Sequence, residues 1–128
     1  MYSGGAISWL CQRQASVPIS TTEVEVVAAS EAAREVVWLK RLSSDIVGFA
    51  EAQDIQIDNE AAIRLAQNPE YHRQTKHIEI QHFFVREKVA EGEIAVKKIT
   101  TEAQVADALT KPLHGPRLKM LMDKMGLE

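Results

Sequence analysis

The sequence predicts a mixed α/β layer domain. Three observations carry this. Short segments with an apolar residue at every second position stand at Ala6 to Gln12, Asp54 to Asp58 and Glu93 to Ile99. Segments with apolar residues every three or four positions separate them. The predicted order is strand, helix, strand, helix, helix, strand, helix, helix, a mixed layered arrangement.

From Ala6 to Gln12, Ile7, Trp9 and Cys11 share one face, and Gly4-Gly5 before them reads as a turn between strands. Pro18 ends this extended stretch. Ser20-Thr21-Thr22-Glu23 has the pattern of a capping box, a hydroxyl with a carboxylate three residues on. The helix it opens is expected to reach about Asp45, with an apolar stripe through Ala29, Ala32, Val36, Leu39, Leu42 and Ile46. Glu25 lies one turn before Ala29, so it is expected at the N-terminal end of that buried stripe. A carboxylate there is costly unless paired, protonated or bound to a metal.

Gly48 closes the helix region. Ile55 and Ile57 face one side of the next strand, and Asp58 falls at its C-terminal end. Asn59 is a cap for a short helix from Glu60 to Gln67, stopped by Asn68-Pro69. Ligands bind at strand ends of this kind in many α/β folds. Tyr71 to Lys76 is polar and reads as a loop. A helix follows from about His77 to Glu91, with Ile80, Phe83, Phe84 and Val89 as its apolar residues and Gly92 at its end. After the strand at Glu93 to Ile99, a second capping box, Thr101-Glu102-Ala103-Gln104, starts a helix that contains Asp107 and ends at Lys111-Pro112. Pro116 opens the last helix, with Leu118, Leu121, Met122 and Met125 in one stripe.

A chain of 128 residues is enough for one domain and short for two. Apolar residues make up 45% and charged residues 26%, the balance of a soluble globular protein. The single cysteine, Cys11, cannot form an internal disulfide and fits a reducing compartment. The start of the chain has no signal-peptide pattern, and no apolar run approaches the roughly 20 residues that span a bilayer. The net charge of −3 argues mildly against a dedicated nucleic-acid binder. It does not exclude one, because a site for divalent cations needs carboxylates.

Three acids stand at element ends or on a buried stripe: Glu25, Asp58 and Asp107. Clustered carboxylates are the usual ligands of Mg²⁺. By spacing alone this signal is weak, and the plainer reading is three ordinary acids beside a cap, a strand end and a helix flank. His72, His77 and His82 recur every five residues, whereas helical zinc ligands recur at three or four, so no zinc site is expected. His72, Arg73, Lys76 and His77 read either as a polar surface for nucleic acid or as a solvated basic loop. Lys97, Lys98 and Lys111 are isolated cations within reach of phosphates or simply solvated.

Three blocks then match a known pattern. AISWLCQRQASVPISTTEVEVVAASEAAREVVWLKRL resembles the strand and first helix of the ribonuclease H domain of copia-type retrotransposon Pol polyproteins. IQIDNEAAIRLAQNPEYHRQTKHIEIQHFFVREKVAEGEI is similar to that family's DN..AI.LA.NP..H.RTKHI.I pattern, and TTEAQVADALTKPL to its T..Q.AD.LTK.L pattern. Together they cover nearly the whole chain in the family's order and spacing.

The resemblance implies a ribonuclease H-like mixed sheet with flanking helices, its first strands missing, so that residues 1–128 form the C-terminal portion of the domain. It implies hydrolysis of RNA in an RNA–DNA hybrid during reverse transcription, with two Mg²⁺ ions about 4 Å apart clamping an in-line displacement. Position by position, the metal ligands and catalytic residues fall on Glu25, Asp58 and Asp107. The implied partners are the hybrid and the upstream reverse transcriptase region of the same polyprotein, with no membrane. The implied location is cytoplasmic, in virus-like particles, or nuclear, and not secreted. Two departures stand out. The family's aromatic residue after the helix glutamate is Val26 here. The family's first aspartate lies on a strand before Gly4-Gly5, and no residue of this sequence takes that role. The chain is therefore expected to be inactive alone, and the rival reading is a non-catalytic relic or an adopted binding module.

Overall fold

A computed structural model describes residues 4–11, 21–48, 51–67 and 76–127, with side chains from residue 80 onward in the last of these. The chain divides into two compact units, Pro18–Ile99 and the pair of segments Met1–Val17 and Thr100–Glu128. Each is taken by itself.

The first unit carries helix α1 (Thr21–Val47), strand β1 (Gln53–Ile57), helices α2 (Glu60–Gln67) and α3 (Lys76–Ala90), and strand β2 (Ile94–Lys98). The strands pair in parallel, with Gln53 opposite Ile94 and Ile57 opposite Lys98. Parallel neighbours need a long crossover, and α2 and α3 supply it. Side-chain alternation sends Ile55, Ile57, Ile94 and Val96 to the helical side of the sheet, where they are buried. Asp54 and Lys97 point the other way and pair at 2.6 Å in the open.

The core joins these strand residues to Val26, Ala29, Ala33 and Val37 of α1, Ala62, Ile63 and Ala66 of α2, and Val85 of α3. Small residues let the helices approach closely. Val26, Ala29, Ala62, Ala66, His82 and Val85 surround a narrow gap where α1, α2 and α3 meet. At the edge of the core, half-buried Phe84 has the Arg34 and Lys88 cations 5.6 and 5.8 Å from its ring centre, within cation–π range.

The buried face of α1 differs from the expected stripe. Ala29 is buried and Ala32, Val36 and Leu39 are half-buried, but Leu42 and Ile46 are exposed. The core-facing residues are instead Val26, Ala29, Ser30, Ala33 and Val37. At about 100° per residue this turns the face by a fraction of a turn. The reason is that the whole helix is rich in apolar residues. Periodicity therefore does not choose the bearing, which follows from packing against α3, the strands and α2 together. In α3 the same happens: Phe84 and Val89 pack against the core, but Ile80 and Phe83 are exposed, while Val85 and His82 are buried.

Local signals fare better. Asn59 caps α2 through its side-chain oxygen, which accepts from Ala61 N–H (2.9 Å) and Ala62 N–H (3.2 Å). Gly92 ends α3 at φ +71°, a left-handed conformation that glycine adopts without strain. Its N–H donates to Val89 O and the Glu93 N–H to Lys88 O, the paired bonds of a Schellman ending. The Ser20 hydroxyl of the first capping box, Pro18, and the Asn68-Pro69 stop lie outside the described residues.

The second unit holds a short 3₁₀ turn (Thr101–Ala103), helix α4 (Asp107–Thr110) and helix α5 (Gly115–Lys124). The continuous helix expected from Thr101 to Lys111 is absent. Thr100 makes no side-chain cap, and Gln104 turns extended at ψ 105°, which breaks the run into two pieces. Helix α5 follows the expectation more closely. Leu121 and Met125 are buried, Met122 is half-buried, and Leu118 remains exposed.

The expected strand at Ala6 to Gln12 also differs. Ala6 to Cys11 form no strand, and Gln12 lies outside the described residues. Alternation makes a strand only where a neighbour accepts the backbone groups. In this segment the Ala6 N–H donates to Met125 O, a helix-end carbonyl, at 2.9 Å. Ile7, Trp9 and Leu10 are exposed. No helix among the described residues is long and apolar enough to cross a membrane.

Candidate functional site

Glu25 lies in the second turn of α1, between buried Val26 and exposed Val24. It is half-buried, on the flank of the core-facing side and not at the end of the buried stripe. The rotation of α1 explains this. A carboxylate on a flank keeps part of its hydration, so its burial costs less than expected at a core position.

Asp58 follows the last residue of β1 and precedes the Asn59 cap, and it is half-buried. The strand end and the first turn of α2 thus hold it on both sides. The N–H groups of that turn carry partial positive charge, which favours a carboxylate nearby.

Asp107 is the first residue of α4 and is buried, with 4% of its surface exposed. Both carboxylate oxygens are engaged. Lys111 Nζ lies 2.8 Å from Oδ1, and Arg117 Nη2 lies 2.9 Å from Oδ2. The same Arg117 nitrogen donates to the Thr101 carbonyl at 2.6 Å. Burying a charge requires this kind of pairing, since an unpaired carboxylate would lose its hydration without return.

Asp107 to Lys111 is an i,i+4 pair whose spacing is readable in a sequence. The contact from Arg117 joins α5 to α4 across a turn, and no local pattern announces it. Arg117 and the partnership of Lys111 with Asp107 are what sequence reasoning missed here.

Glu25 and Asp58 belong to one unit and Asp107 to the other. Among the described residues no three His, Cys, Asp or Glu side chains gather into a group that could hold a metal ion. His82 is buried against the α1–α2–α3 junction. His72 and Arg73 lie outside the described residues. Lys76 and His77 open α3, and their side chains are not among those described. Lys97 pairs with Asp54, and Lys98 with Glu60 at 3.2 Å, so both exposed lysines already have anionic neighbours. The bonds from Arg64 and then Lys98 hold the Glu60 carboxyl below its ordinary range.

No protein-family model matches this sequence. No solved structure matches it either. Curated relatives do. The chain is 36% identical over 126 residues to the retrovirus-related Pol polyprotein from transposon TNT 1-94 of Nicotiana tabacum, an alignment covering 98% of this chain and 10% of the relative. It is 33% and 32% identical over 122 residues to the retrovirus-related Pol polyproteins from transposons RE1 and RE2 of Arabidopsis thaliana. Those two alignments cover 94% of this chain and 8% of each relative. The chain therefore spans a tenth or less of the relatives it matches, and over nearly all of its own length it belongs with one segment of the retrovirus-related Pol polyproteins of transposons.

Proposed function

We propose that the chain is the ribonuclease H segment of a copia-type Pol polyprotein, whose parent activity is hydrolysis of RNA in RNA–DNA hybrids. The observation that carries this reading is the near-complete alignment to transposon Pol polyproteins of a chain that bears all three motif blocks. Glu25, Asp58 and Asp107 are the acids that the reading assigns to Mg²⁺, the hybrid is the substrate, and the ribonuclease H-like fold is the architecture. The polyprotein's reverse transcriptase region is the partner it implies.

The residues of this structure do not fit a two-ion centre as they stand. Asp107 is already neutralised by two cations. The described acids form no group of three. Mg²⁺ gives up its water reluctantly and needs preorganised oxygen ligands, so scattered carboxylates hold it weakly. The chain by itself is therefore proposed to be inactive, with cleavage belonging to a longer piece of the polyprotein. The same observations favour a second reading, a non-catalytic interaction module of retrotransposon origin.

The test compares the purified chain with a longer polyprotein segment on a labelled RNA–DNA hybrid in Mg²⁺. The expected result is no cleavage by the chain and cleavage by the longer segment, abolished by Asp58→Asn. Cleavage by the chain alone, lost in Asp58→Asn, overturns the inactivity. A folded longer segment that leaves the hybrid intact overturns the enzymatic reading in favour of the module.

A further inference from the structure

The disagreement between the assigned role of Asp107 and its surroundings has a specific geometric origin. Lys111 takes one carboxylate oxygen and Arg117 takes the other. The Asp107 side chain is 6% exposed, while those of Lys111 and Arg117 are 52% and 32% exposed. The approach to the carboxylate thus runs past the two cations. Arg117 is held in place independently, by its bond to the Thr101 carbonyl. One carboxylate with two cations leaves a local excess of positive charge.

We propose that Asp107 is a masked ligand: Lys111 and Arg117 occupy both of its oxygens and keep divalent cations from it. This rests on the assignment of Asp107 made above but asks a different question of it. A metal ion approaching within coordination distance, about 2.1 Å for Mg²⁺, meets two positive side chains at hydrogen-bond range from the same oxygens. It must displace at least one of them. Lys111 is the weaker hold, since its side chain is 52% exposed, whereas that of Arg117 is 32% exposed and bridges two acceptors.

The test is Mn²⁺ binding to the full chain, read from the electron paramagnetic resonance signal of the free ion, with no nucleic acid and no activity assay. The wild-type chain is expected to show no binding that Asp107→Asn removes. Lys111→Met is expected to give Mn²⁺ binding that the wild-type chain lacks, and Lys111→Met with Arg117→Met to tighten it further. Adding Asp107→Asn should abolish the gain. Should the double variant fail to fold, Lys111→Met decides alone, because its side chain is on the surface.

Binding to the wild-type chain that depends on Asp107 overturns the proposal, as does a folded Lys111→Met chain with no gain in affinity. Since the readout is metal binding, failure here leaves the ribonuclease H reading to stand or fall on hybrid cleavage.

Discussion

Replacing Asn59 by alanine tests how β1 hands over to α2 beside Asp58. The Asn59 side-chain oxygen accepts from the N–H groups of Ala61 and Ala62 at 2.9 and 3.2 Å. Alanine leaves both donors to water. Loss of such a cap costs about 1 kcal/mol, within a range of roughly 0.5–2. Helix α2 cannot fray freely to recover this, because Ala62, Ile63 and Ala66 are buried in the core it shares with β1 and α1. For a unit of this size, about 1 kcal/mol corresponds to a fall of about 4–8 °C in melting midpoint. Far-UV circular dichroism during thermal and urea unfolding reads the stability, and amide exchange at Ala61 and Ala62 reads the cap. Asn59→Ser and Asn59→Asp should retain nearly full stability, and Asn59→Gly should lose only about a few tenths of a kcal/mol. An unchanged midpoint in Asn59→Ala, with unchanged exchange at both amides, would refute the cap as the support of this junction.

Three further outcomes follow from packing, backbone and charge. Ile94→Ala removes most of a side chain that is only 2% exposed and should cost about 2–5 kcal/mol, with Ile94→Val at about 0.5–1.5, measured by urea unfolding. Gly126→Ala should destabilise more than Gly48→Ala. Both glycines have positive φ, which costs an L-residue about 1–2 kcal/mol, but a Cβ on Gly126 would also lie 2.7 Å from Gly4 O, while one on Gly48 meets nothing within 4 Å. The Lys88–Glu91 bond, 2.7 Å long, raises the lysine pKa above its ordinary value and lowers that of the glutamate. Its stabilisation is full between the two ordinary values. It fades as pH falls through the depressed Glu91 pKa, and again as pH rises through the elevated Lys88 pKa. The stability gap between wild type and Lys88→Met, followed by urea unfolding across pH, should therefore narrow at both extremes; a gap independent of pH would contradict this.

The candidate site was legible in part. Asp58 stands where the sequence places it, because a strand of alternating isoleucines and an asparagine cap are local patterns. The same kind of pattern does not place Glu25, since α1 has apolar residues on more than one side and periodicity alone does not choose among them. Asp107 opens α4 and does not lie inside a continuous helix from Thr101, because the chain turns extended at Gln104. Its pairing with Arg117 spans ten residues and joins separate helices, so no local rule reaches it.

What the sequence by itself determined is the placement of helix ends set by strong local chemistry: the Asn59-capped start of α2, the Gly92 ending of α3 and the proline-led start of α5. These depend on backbone groups satisfied within a few residues, so the energy that decides them is local. It also determined kinship with transposon Pol polyproteins, through residues spread along the chain. Tertiary structure alone decided which face of α1 and α3 is buried, that Ala6 to Cys11 do not extend as a strand, and that Asp107 is shared between two cations. Each of those depends on surfaces and charges distant in sequence, whose burial and pairing exist only once the chain has closed on itself.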